Sequence, residues 1–121
     1  MTNIGKAYGF FDCRASKEEI EAEIPTIRRL TNTPSKLELS LIESPSNLRG
    51  DSELMSIASQ ASESGIKYVL EGTYPSATNE QTAKEIVGVL NQVYQSPLYQ
   101  EGEPFRGEIV YFDGAGYQFL K

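Results

Sequence analysis

The chain has 121 residues and 13.4 kDa, with 39% hydrophobic and 23% charged residues, enough for one domain with its own core and too apolar for a disordered chain. Lys and Arg total 11 against 17 Asp and Glu, a net charge of −6 without a basic patch, which argues against a nucleic-acid backbone as partner. Histidine is absent, which excludes Ser-His-Asp and Cys-His catalysis and imidazole zinc sites, and a single cysteine cannot form an internal disulfide.

No basic segment followed by an apolar run opens the sequence, and no apolar stretch approaches the ~20 residues of a membrane span. A reducing, cytoplasmic setting without membrane contact is the expectation.

Residues 4–12 read as a first strand, since Tyr8, Phe10 and Phe11 favour the pleated backbone and Gly9 marks a close approach. Ser16 and Glu19 form a capping box, from which a helix runs with Ile20, Ile24, Ile27 and Leu30 on one face. Glutamates crowd its early turns and Arg28 and Arg29 its end, an order that suits the helix dipole. Pro25 removes an internal hydrogen bond, so a kink or a restart is expected there.

After a turn at 31–35, residues 36–43 alternate, with Leu37, Leu39 and Leu41 on one face and Glu38 and Ser40 on the other. That pattern fits a strand wet on one side or lying at a sheet edge. Residues 44–50 form a loop, and Asp51 or Ser52 caps a second helix carrying Leu54, Ile57, Ala58 and Ala61, ended by Gly65. Arg49-Gly50-Asp51 matches a short adhesion tripeptide but reads as loop and cap.

Residues 66–73 form a third strand, closed by Tyr74-Pro75. Ser76, Thr78 and Asn79 offer caps for a third helix, whose stripe is Ala83, Ile86, Val87, Leu90, Val93 and Tyr94. Pro97 stops it, and the loop to Phe105 presents Leu98, Tyr99 and Phe105, to tuck under the domain or to meet a partner. Residues 107–112 and 116–121 flank Asp113-Gly114-Ala115, a hairpin signal, with Glu108 and Lys121 the only charges in its arms. A phosphate-cradling loop would need a helix after these glycines, so the turn is no nucleotide motif.

The order βαβαβαββ predicts a single small α/β domain over residues 1–121: a mixed sheet with three helices and a C-terminal hairpin, with parallel neighbours where single helices separate strands. The wet face of the second strand supports an alternative, a two-layer α+β sandwich of ferredoxin-like character with additions.

If the strands run parallel, their carboxyl ends gather Asp12, Cys13, Arg14, Glu43, Ser44, Glu71, Thr73 and Tyr74. A thiol before a helix N-terminus and beside Arg14 has two reasons for a lowered pKa, and Asp12 opposes them; the structural reading is a small buried hydrophobe. Asp12, Glu43 and Glu71 supply oxygen ligands for a hard cation without any spacing rule to support one, so no metal or other cofactor is assigned. The absence of a catalytic motif favours a small cytoplasmic binding domain without catalysis of its own, self-associating or bound to a protein partner through the hairpin edge. The alternative is an enzyme or binder for a small anionic ligand using the cluster around Cys13 and Arg14.

Overall fold

The computed structural model describes residues 4–96 and 107–120, and its centre is strand β1 (Ile4–Phe11). The chain continues through α1 (Lys17–Leu30), β2 (Glu38–Glu43), a 3-10 turn (Pro45–Asn47), α2 (Ser52–Glu63), β3 (Tyr68–Pro75), α3 (Asn79–Gln95), β4 (Gly107–Phe112) and β5 (Tyr117–Phe119). The expected order of elements is therefore present, with three helices and a C-terminal hairpin.

Local chemistry sets the boundaries. The Ser16–Glu19 box starts α1, and Thr78 with Gln81 makes a second box at the start of α3. Asp51 caps α2 by accepting the Leu54 N–H at 2.9 Å. Helix α1 is continuous through Pro25, contrary to the expected kink or restart. Pro25 and Glu21 are exposed, so the carbonyl deprived of its donor can turn to water. Arg28 donates from Nη2 to the carbonyls of Pro34 (2.9 Å) and Leu37 (2.7 Å), which holds the turn into β2.

Among the described residues the sheet has five strands in the order β2-β3-β1-β4-β5, and every pairing is antiparallel. The expectation of a mixed sheet with parallel neighbours is thereby corrected. Helices α1 and α3 do connect strands that run the same way, but each pair has an antiparallel strand between: β3 separates β1 from β2, and β1 separates β3 from β4. This is a split βαβ topology repeated, the strand arrangement of the ferredoxin-like alternative. Between β2 and β3 the chain first returns along the sheet through residues 44–50, with Leu48 buried, before α2 begins; the helix then leads into β3 against the direction of β2.

The layers depart from the two-layer alternative. Ile20 and Ile27 of α1 and Ala83, Ile86, Val89, Leu90 and Val93 of α3 pack with Ala7, Phe11, Leu41, Leu70 and Ile109 on one face. On the opposite face Leu54 and Ala58 of α2 and Leu48 pack with Tyr8, Phe10, Val69 and Val110. The sheet thus lies between helices, a three-layer domain in which β1 is buried on both faces. Leu30 and Tyr94 of the expected apolar stripes are exposed instead, at 64% and 38%.

Helix α3 sits low on β1 because the residues beneath it are small. Gly5, Ala7 and Gly9 face it, with Gly72 from β3. A Cβ built at Gly9 would lie 2.7 Å from Leu90 Cδ1, and one at Gly72 2.7 Å from Ile86 Cδ1. At the helix start Asn79 accepts the Lys6 N–H (2.8 Å) and donates to the Phe112 carbonyl (2.8 Å), bridging β1 and β4 where their ladder ends.

Candidate functional site

Asp12, Cys13 and Arg14 leave β1 and precede the Ser16 cap. Since β1 and β2 run the same way, Glu43 and Ser44 arrive at the same end, where the Ser44 N–H donates to the Lys67 carbonyl (2.7 Å). Tyr68, the first residue of β3, stacks on Phe11 with ring centroids 5.6 Å apart and donates from its hydroxyl to the buried Ala15 carbonyl (2.6 Å). Burial, and then the negative fields of Glu43, Cys13, Glu18 and Asp12, push the Tyr68 hydroxyl above its usual range.

The remaining predicted site residues lie elsewhere. Glu71 pairs with Tyr8 in mid-sheet, and Thr73 and Tyr74 pair with Lys6 and Gly5 toward the opposite end. From Tyr68 to Tyr74 the strand covers roughly 20 Å at about 3.3 Å per residue. The convergence of Asp12, Cys13, Arg14, Glu43, Glu71, Thr73 and Tyr74 on one rim is corrected: an antiparallel β3 carries its carboxyl end away from those of β1 and β2. Among the described residues no group of three or more His, Cys, Asp or Glu side chains is placed to hold a metal ion.

Cys13 is 2% exposed and packs in the same cluster as Phe11 and Tyr68. Iodoacetamide is therefore expected to alkylate it only as the protein unfolds, with the native rate tracking global opening across denaturant. Rapid alkylation of the native protein at pH 7 would instead show an accessible, activated thiol.

The opposite face carries a second polar cluster. The Tyr117 hydroxyl donates to Asp51 Oδ2 (3.0 Å) while the Tyr117 N–H donates to Glu53 Oε1 (3.3 Å), so the α2 N-terminus is tied to β5. Burial and the Asp51 bond push the Tyr117 hydroxyl well up, and burial with the charges of Glu71 and Asp51 raises that of Tyr8. Both phenols hold their protons, and the Tyr117 hydroxyl donates to a carboxylate, an arrangement that locks β5 to α2. Sequence reasoning found Asp51 as a cap but missed Tyr117 and Glu53, because 64 residues separate Glu53 from Tyr117 and no spacing rule joins them.

Among the described residues strand β5 forms one edge of the sheet. The turn before it is held by Asp113, whose Oδ1 accepts the N–H groups of Ala115 (2.8 Å) and Gly116 (2.9 Å), bonds that draw its carboxyl below the usual range. Gly114 supplies the positive φ of 102° that this turn requires. Phe112 and Tyr117 meet edge to face with centroids 5.3 Å apart, yet Phe112 remains 39% exposed and Phe119 48%. Phe119, Tyr117 and Phe112 share the α2 face, as their pairings with Val110 and with one another require. The other edge, β2, presents exposed Glu38, Ser40 and Glu43. Leu98, Tyr99 and Phe105, the apolar residues noted before β4, lie outside the described residues.

No protein-family model matches the chain, and neither a curated protein nor a solved structure matches it.

Proposed function

We propose that this is a small cytoplasmic interaction domain without catalysis of its own, self-associating through its C-terminal hairpin. The observation that carries the reading is the β5 edge, where Phe119 stands 48% exposed on a strand that, among the described residues, has a neighbour on one side only. Contiguous aromatic side chains beside an open strand edge favour association, because pairing removes both apolar surface and unbonded peptide groups from water. The described residues contain no helix long and apolar enough to cross a membrane. The net charge of −6 does not suit a nucleic-acid partner.

The anionic-ligand alternative has weaker support. Around Tyr68 the charges of Glu43, Glu18 and Asp12 repel an anion, while Arg14 is exposed and Cys13 is buried. Sedimentation velocity from micromolar to millimolar concentration tests the leading reading: a concentration-dependent dimer is expected, and a clean monomer throughout would end the self-association part.

A further inference from the structure

We infer that two copies join by antiparallel pairing of β5 with β5 about a two-fold axis at Gln118, an inference that rests on the self-association proposed above. The backbone of β5 fixes which groups are available. Leu120 N–H donates to the Ile109 carbonyl (2.8 Å) and Asp113 N–H donates to the Gly116 carbonyl (3.0 Å), so the even-numbered residues of this arm turn their peptide groups toward β4. By alternation, Tyr117 and Phe119 turn theirs outward. The outward Tyr117 N–H, already reaching Glu53, agrees with that assignment.

With the axis at Gln118, Tyr117 of one copy faces Phe119 of the other, and the two exchange both backbone bonds. Gln118 faces its own counterpart in a non-bonded pair. The aromatic residues of both copies lie on the α2 face, so each Phe119 gains the neighbouring Tyr117 as a cross-strand partner. No charge is opposed within β5, whose sequence is Tyr-Gln-Phe. The β2 edge contrasts with this: it carries exposed Glu38 and Glu43, so a second copy paired there would bring four carboxylates together along one ladder. Charge therefore selects β5 over β2 as the self-complementary edge, and a two-fold contact of this kind closes after two copies. Glu53 competes for the Tyr117 N–H and is released to solvent on pairing, which keeps the association reversible.

The test combines Gln118→Cys with Phe119→Pro in the full chain. Directly opposed residues of a non-bonded pair stand about 4.5 Å apart at Cα, within disulfide reach. Gln118→Cys is thus expected to cross-link into a covalent dimer under mild oxidation, whereas Glu38→Cys on the β2 edge does not. Phe119→Pro deletes an outward N–H and leaves the bonds to β4 in place, so it is expected to weaken the dimer at least about tenfold while far-UV circular dichroism stays unchanged. A wild-type dimer that persists in Phe119→Pro, with no cross-link through position 118, overturns the β5 pairing and leaves self-association standing. Loss of the dimer in Phe119→Pro without a position-118 cross-link also overturns it, since β5 would then be meeting a different edge. A monomer at every concentration removes both the pairing and the reading beneath it.

Discussion

Replacing Gly5 with alanine is expected to cost about 3 kcal/mol, more than the same change at Gly9 or Gly72. A Cβ at Gly5 would lie 2.9 Å from the Ala77 carbonyl oxygen and closer still to the Thr78 carbonyl and Thr82 Oγ1. Those atoms belong to the first turn of α3 and the residues leading into it. The Thr78 carbonyl is itself committed to Thr82, accepting its N–H (3.1 Å) and its hydroxyl (2.9 Å). The helix start is also tied to both β1 and β4 through Asn79, so it cannot slide away without losing those bonds. At Gly9 and Gly72 the nearest atoms are side-chain methyls of Leu90 and Ile86 rather than backbone carbonyls, so the neighbours can give by small shifts and a loss of about 1 kcal/mol is expected. Gly88 supplies the opposite sign: it lies within α3, and a Cβ added there would meet nothing within 4 Å, so alanine should stabilise by about 1 kcal/mol. Urea denaturation of the four variants gives the ranking. A Gly5→Ala protein within about 0.5 kcal/mol of wild type would contradict the close seating of α3 on β1.

The local signals were legible because they act through neighbours in sequence. Ser16 with Glu19, Asp51 as a cap, Thr78 before α3 and the Asp113–Gly114 turn each do what their residue types and spacing require. Strand direction depends on how the chain travels between elements, and local patterns do not record that path. Residues 44–50 contain no periodic pattern, yet by running back along the sheet before α2 they reverse the relation of β2 to β3. One reversed strand was enough to separate Glu71, Thr73 and Tyr74 from Asp12, Cys13, Arg14 and Glu43. Gly9 was visible as a site of close approach and Gly5 was not, but which helix approaches depends on the face, and period-two alternation names two faces without naming their occupants. The Tyr117 contacts with Asp51 and Glu53 are long-range in the same sense.

Alkaline pH is expected to unfold the protein in a cooperative step that begins above about pH 10, because three tyrosines among the described residues hold their protons longer when folded than when unfolded. Tyr8, Tyr68 and Tyr117 all have folded-state values raised above 10.0. Below the unfolded value both states carry the neutral phenol and no stability is lost. Above it the unfolded chain ionises while the folded one resists, so the unfolded state binds fewer protons and stability falls as pH rises toward the folded values. Absorbance of tyrosinate near 295 nm, followed with far-UV circular dichroism, should show part of the phenols ionising together with the loss of structure. Tyr68→Phe separates two effects of one hydroxyl. At pH 7 it removes the donor to the buried Ala15 carbonyl and is expected to cost about 1–3 kcal/mol. Above pH 10 it deletes one of the three resisting groups, so its stability should decline less steeply with pH than that of the wild type. Smooth ionisation of all tyrosines near pH 10 with the fold intact would refute the burial of these hydroxyls. A Tyr68→Phe variant as stable as wild type at pH 7 would show that the Ala15 carbonyl finds another donor, leaving Phe11 stacking as the reason for an aromatic ring at the start of β3.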